Sequence, residues 1–485
     1  MLVYNTMTRQ KEEFIPKEMN KVGMYVCGPT TYNFIHLGNA RFLVVFDTIR
    51  RYLIHKGYQV NYIQNFTDID DKIINKAKEE GENPLLLAQK YIQEYFLDAD
   101  ALNVLRAEVH PKVSEHIPEI IDMVSTLIEK GHAYVVSGDV YYDIASFPEY
   151  GKLSGRTLED MQAGARVEVN ERKKHPMDFV LWKAAKEGEP SWDSPWGAGR
   201  PGWHIECSVM SLKYLGAGFD IHGGGFDLIF PHHENEIAQS EAATGKEFVR
   251  YWLHNGFITV NQEKMSKSLG NFFIVREILE KFPPEVVRFF LLSTHYRSPL
   301  DFDDKKLEVS ARGLERVKNC MRAMEEAYKG LLRDNKMEDD LLLEQIFVKR
   351  LADFDRAMDD DFNTALAIGI LFETVGDING YLRQQAEQGK GVCKETLSKA
   401  KEMMNTFNLV LGLFKVDEKG NVLLDTSLEE DTTLVEGLMN LLIEIRQQAR
   451  TRKEYDVADK IRNELVNLGI ILEDTPKGAR WKKQR

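Results

Sequence analysis

Four cysteines in 485 residues, at Cys27, Cys207, Cys320 and Cys393, are too few and too far apart for a disulfide framework. That scarcity implies a reducing compartment. No apolar run approaches the roughly 20 residues that a membrane span requires. The opening segment, MLVYNTMTRQKEEF, lacks the apolar stretch and cleavage site of a secretory signal. No internal repeat is evident. Positive charge is short overall, with a net charge of -13. Such a balance argues against a nucleic-acid partner, because phosphate contacts dominate that affinity.

The average conceals an uneven distribution. From Arg446 to Arg485 there are 11 Lys+Arg against 6 Asp+Glu, so an acidic chain ends in a basic segment. The length suggests about three domains. An apolar fraction of 43% and a charged fraction of 29% allow large cores in a soluble protein. Composition alone leaves open a cytosolic enzyme, a scaffold or a nucleic-acid binder.

Met24 to Cys27 reads as a buried strand that breaks at Gly28-Pro29. Phe42, Val45, Phe46, Ile49 and Leu53 then repeat at helical spacing, predicting a helix from about Gly38 to His55. Gly57 ends it, and Tyr58 to Phe66 reads as a second strand. Strand, helix, strand implies an α/β fold with a Rossmann-type parallel sheet, whose ligands bind beyond the carboxyl ends of the strands. The expected organisation is a first half of that domain over 1–130, an insertion over 131–200 and a second half over 201–258. A junction over 259–305, a helical bundle over 306–415 and a small unit over 432–485 follow. The last is read as a helix pair with a basic tail, after a polar linker over 417–431.

Three strings carry chemistry. In Pro231-His232-His233-Glu234-Asn235-Glu236, proline is expected to open a helix. His232 and Glu236 then project from one face and can share a metal. With Cys27 and Cys207 they make a mixed sulfur, nitrogen and oxygen donor set that suits zinc. Alone, the pair also fits a solvated helix face, and the cysteines fit buried apolar positions. His233 is a substitute for His232, although on a helix it points about 100° away. The second string, Glu263-Lys264-Met265-Ser266-Lys267-Ser268-Leu269-Gly270-Asn271, sets two lysines on one short loop. Their ammonium groups can offset charge on a phosphate in a transition state. The third, Pro29 to Asn39, leads into the first helix, whose N-terminus attracts anions. There His36 can donate to phosphate, and Gly38 leaves room for a ring to approach the backbone.

These strings resemble the signatures of class I aminoacyl-tRNA synthetases. His36-Leu37-Gly38-Asn39 is similar to the HIGH motif and Lys264 to Ser268 to the KMSKS motif. The segments Tyr25 to Thr30, Asn65 to Lys72, Trp203 to Ser208 and His222 to Glu236 resemble the cysteinyl-tRNA synthetase family, and the likeness spans essentially the whole chain. Asn39 departs from the motif, which ends in a second histidine.

The resemblance implies a ligase that activates L-cysteine with ATP and passes it to the 3′-terminal adenosine of tRNA(Cys). It implies one Zn2+ on Cys27, Cys207, His232 and Glu236, and Mg2+ accompanying ATP. It assigns ATP to Thr30, His36, Gly38, Asn39, Lys264 and Lys267, of which His36, Asn39, Lys264 and Lys267 act in catalysis. Trp203 is a candidate cover for the substrate side chain, and Thr67 and Asp227 are candidates for its amino group. Zinc is expected to select cysteine over serine through the thiolate, because shape alone discriminates such near-isosteres by only about 10²-fold. The helices of 306–415 are expected to bind the anticodon. The C-terminal unit, with Trp481 as a stacking residue, is expected to bind tRNA as well. That unit argues against a relative that ligates cysteine to an amino sugar, which has no need of it. Cys320 and Cys393 are read as structural thiols. A cytoplasmic monomer with no membrane partner completes the expectation.

Overall fold

The computed structural model describes every residue except 158–171, 261–262, 265–272, 419–420, 425–428, 453, 468–469, 476–477 and 484–485. It divides into two units, Met1–Phe414 and Lys415–Arg485.

The first unit opens with a hairpin of β1 (Leu2–Asn5) and β2 (Gln10–Glu13). The expected strand, helix and strand follow as β3 (Lys21–Val26), α1 (Leu37–His55) and β4 (Gln59–Gln64). Tyr25 and Val26 are fully buried, as befits a parallel strand covered on both faces. Helix α1 buries Val44, Phe46, Ile49 and Leu53 along one broad face. Next come α2 (Asp71–Glu80), α3 (Pro84–Ala101) and α4 (Ile117–Glu129).

The insertion is a small antiparallel sheet of β5 (Ala133–Val136), β6 (Asp139–Tyr142), β7 (Phe179–Ala184) and β8 (Gly199–Pro201). The main sheet resumes through α5 (Trp203–Leu215), β9 (Phe219–Gly225), α6 (Glu234–Thr244) and β10 (Val249–Asn255). Its order is β10-β9-β3-β4, parallel throughout. Val26 pairs with both Gln64 and Gly223, and Gly223 with Leu253. The register therefore ends all four strands at one edge, with the switch in strand order between β3 and β9.

Helix α6 starts at Glu234, three residues later than the proline suggested. Residues Ile229–His233 form a wide turn in which Phe230 is extended (φ -138°, ψ 131°). This break changes where the two histidines point.

Beyond the sheet, α7 (Pro284–Leu292) leads into four long helices, Asp304–Lys329, Glu338–Asp359, Thr364–Glu387 and Lys394–Leu411. Thr364–Glu387 has the length and composition of a membrane span. Here it buries Ala367, Ile370, Leu371 and Ile378 among its neighbours as a bundle helix. Arg288 of α7 is fully buried. It donates to Asp47 of α1 and to the carbonyls of Leu411 and Leu102. The bundle and the sheet thus share one core. All four cysteines are buried and free, and burial pushes the Cys320 thiol up to about 12.

In the second unit, helices Glu429–Thr451 and Tyr455–Asn467 form the expected pair. The expected tail is instead an antiparallel hairpin of Ile470–Thr475 and Gly478–Lys483, with Trp481 opposite Leu472. Two short strands had been hidden by the charge of the segment.

Candidate active site

A cavity of about 370 Å³ opens at the carboxyl edge of the sheet, where β3 and β9 part. Cys27, Thr30, His36, Gly38, Asn39, Thr67, Trp203, Cys207, Asp227 and His232 all line it. Lys264 closes a short strand pair with Thr259, but its side chain and Met265 to Ser268 lie outside the described residues. Phe273 and Ile274, just beyond that string, pair with the segment entering α1: Leu37 N–H donates to Phe273 O (3.0 Å) and Val275 N–H to Ile35 O (3.0 Å). Residues 273–275 therefore lie against the entry to α1.

His36 caps α1. Its Nδ1 accepts from Asn39 N–H (3.2 Å), while Asn39 Oδ1 accepts from His36 N–H (3.2 Å). The box satisfies two orphan donors of the first turn. It also fixes the imidazole as an Nδ1 acceptor, so in the neutral ring Nε2 is the donor. The side-chain Nδ2 of Asn39 takes no part in the box.

On the other side of the cleft, the two cysteine sulfurs are 3.6 Å apart. Cys27 Sγ lies 3.6 Å from His232 Nε2 and 3.5 Å from Glu236 Oε1. His232 Nε2 is 2.9 Å from Glu236 Oε1. A tetrahedral zinc with ordinary bond lengths sets donor separations of about 3.3–3.8 Å. The three separations from Cys27 fall in that range, the His232–Glu236 separation is shorter, and the donor set fits zinc. Cys27 is pushed up, first by burial and then by Cys207. Cys207 falls to about 6, chiefly through the hydrogen bond from Cys27. Burial opposes charge on both Glu236 and His232. Mutual attraction, with His222 and Cys207 adding to it, nevertheless holds Glu236 at about 2 and raises His232 to about 10.

The extended Phe230 swings His233 inward as well, so it does not point away. Its Nε2 lies 3.4 Å from Cys27 Sγ. Cys27, His222, His233 and Glu236 form a second close donor group. This group has one sulfur, and neither His222 nor His233 lines the cavity. Cys27, Cys207 and His232 do, so the first set is the one that opens on the cavity.

Several polar residues here had no role in the sequence reading. His204 Nδ1 meets His232 Nδ1 at 2.9 Å, and His233 Nδ1 meets His254 Nε2 at 2.8 Å. His222 Nε2 meets Glu236 Oε2 at 2.8 Å, and its ring stacks on Trp252. These contacts orient the inner rings from behind. Buried Arg41 donates to the carbonyls of Gly256 and Phe257, fixing the loop after β10. Polar side chains at a strand's carboxyl end, such as His254, were the available signal. Thr67 Oγ1 donates to the buried Glu206 carboxylate (3.0 Å). Burial, with Cys207 nearby, pushes that carboxyl well up. The half-exposed Trp203 ring lies 4.5 Å from that of His232. Asp227 sits beside Gly225, where an added Cβ would come within 2.5 Å of its Oδ1.

A parallel sheet with its site at this switch, a capped HLGN helix and a helical bundle behind it define the class I tRNA synthetases. Residues 13–312 match the family model described as tRNA synthetases class I (C) catalytic domain, and residues 353–415 match the DALR domain. The chain is 64% identical over 485 residues to the cysteine–tRNA ligase of Pelotomaculum thermopropionicum, covering 100% of both. It is 52% identical to that of Clostridioides difficile, again covering 100% of both. The chain belongs to the cysteine–tRNA ligase family. Its fold is also similar to Mycobacterium tuberculosis methionyl-tRNA synthetase in complex with methionyl-adenylate, with a TM-score of 0.62 and 16% identity. That likeness covers 81% of this chain and 91% of the other.

Proposed function

We propose that this cysteine–tRNA ligase activates L-cysteine at the cavity of β3 and β9 and transfers it to tRNA(Cys), with Cys27, Cys207, His232 and Glu236 holding zinc. The observation that carries this reading is the convergence of those four donors beside the capped HLGN helix. The carboxylate of cysteine attacks the α-phosphate of ATP and pyrophosphate leaves. The 2′-hydroxyl of the terminal adenosine then attacks the adenylate and AMP leaves. His36 and Asn39 hold the phosphates from the helix N-terminus, and Lys264 and Lys267 offset their charge. Mg2+ accompanies the nucleotide. Catalysis is then positioning and electrostatics, with no protein nucleophile.

Zinc would supply a bond that a thiolate makes strongly and a hydroxyl weakly. Trp203 covers the side chain against His232. Thr67, committed through its hydroxyl to Glu206, reaches the amino group less directly than Asp227. The helices of 306–415 take the anticodon, and the C-terminal pair and hairpin add basic contacts, with Trp481 stacking on a base. The protein works in the cytoplasm as a monomer.

The test is ATP-dependent charging of a tRNA pool with labelled cysteine by purified protein. Charging of cysteine-specific tRNA alone is expected. Pyrophosphate exchange without charging would move the acceptor to a small amine. Absence of both from folded, zinc-loaded protein would overturn the reading.

A further inference from the structure

The segment Asn65 to Lys72 carries three aspartates before one lysine, and the structure accounts for every carboxylate. Asp68 accepts from the backbone and hydroxyl of Ser114. Asp70 caps α2 by accepting from Lys72 N–H (2.9 Å). Asp71 pairs with Lys183 of β7 (2.5 Å) and with Arg200 of β8, pinning the start of α2 to the inserted sheet. Lys72 is left over. It has no carboxylate partner among the described residues. Its Nζ lies 5.7 Å from the centre of the Tyr32 ring, and both residues line the cavity. No other lysine or arginine does so among the described residues.

An ammonium held at the mouth of a cavity, with its neighbouring acids already engaged, is an anion site awaiting its anion. The substrates that enter here carry that anion as phosphate. We propose that Lys72 is a further binding residue of the active site, its ammonium taking a substrate phosphate. Two sources share that chemistry, the ATP triphosphate and the phosphodiester before the terminal adenosine of tRNA. The pairing of Asp71 with β7 and β8 holds the start of α2, and with it Lys72, beside the cleft, where the ammonium stands over the Tyr32 ring.

The inference rests on the function proposed above, so the unaltered protein is assayed first. If it lacks cysteine-dependent pyrophosphate exchange, that function is overturned. If exchange is present, Lys72→Met and Lys72→Arg are compared in exchange without tRNA and in charging at varied tRNA. A KM for ATP raised about tenfold by methionine and restored by arginine supports an ATP phosphate. Unchanged exchange with the KM for tRNA raised about tenfold supports the acceptor phosphodiester. Both KM values within twofold of the unaltered protein overturn the proposal, whatever happens to kcat. Lys72 is exposed and has no carboxylate partner among the described residues, so the methionine variant is expected to keep its thermal midpoint. Should it unfold, Lys72→Gln is read in the same two assays.

Discussion

The sulfurs of Cys27 and Cys207, 180 positions apart in the chain, lie 3.6 Å from one another without a disulfide between them. That separation is far beyond the S–S bond of about 2.05 Å, yet it matches two ligands of one ion. Cys207→Ser is expected to abolish zinc binding and to lower the preference for cysteine over serine. Metal analysis beside pyrophosphate exchange with each amino acid measures both. Complete loss of zinc with an unchanged preference would contradict the role given to the metal.

Gly28 follows Cys27 where the backbone has no room for a side chain. A Cβ there would lie 1.6 Å from Asn65 O, and Gly28 N–H donates to Asn65 Oδ1 (2.9 Å). Gly28→Ala must push β3 and β4 apart at the cleft. A fall in thermal midpoint, together with weaker zinc retention under a mild chelator, is the expected result. Equal zinc retention would show that Cys27 tolerates the shift.

The cap that Asn39 makes and the phosphate contact proposed for it are separable. Asn39→Ala removes the reciprocal cap of α1 and is expected to cost about 0.5–2 kcal/mol, with at least a tenfold fall in exchange. Asn39→Asp keeps an acceptor for His36 N–H but replaces the amide donor with negative charge. Its thermal midpoint should stay near that of the unaltered protein while exchange falls as far as with alanine. Activity retained in the aspartate variant would limit Asn39 to capping.

Asp47 links stability to pH. Burial alone would raise its pKa, but Arg51 and Arg288 outweigh burial and hold it below the usual carboxylate range. Its contribution is therefore complete above the unfolded value of about 4 and is lost as pH falls through the lower folded value. Asp47→Asn leaves Arg288 buried without its counter-charge, at an expected cost of about 3–5 kcal/mol. Thermal midpoints measured between pH 6 and pH 3 should then fall less steeply in the variant. Parallel curves would assign the acid sensitivity to other groups.

The local elements were legible because their signals are local. Phe42 to Leu53 repeat with the helical period, and Met24 to Cys27 form an uninterrupted apolar run. Both therefore appear as α1 and β3 within a few residues. The resemblance supplied the donor set and the signature residues, and all of those with described side chains line or adjoin the cavity. The C-terminal hairpin was missed because each strand is only six residues long. Its charges also masked the alternation.

The sequence by itself determined which side chains are present: two thiols, a histidine and a carboxylate able to hold a metal, and a histidine, an asparagine and two lysines that the proposed function assigns to phosphate. Tertiary structure alone decided the rest. It placed His233 beside Cys27 by breaking the helix at Phe230, tied Thr67 to Glu206, set His204 and His254 behind the inner rings, and left no neighbouring aspartate paired with the Lys72 ammonium among the described residues. Helical and strand periods report interactions between residues a few positions apart. Contacts between residues hundreds of positions apart are fixed only when parallel strands pack in register and bring their carboxyl ends to one edge.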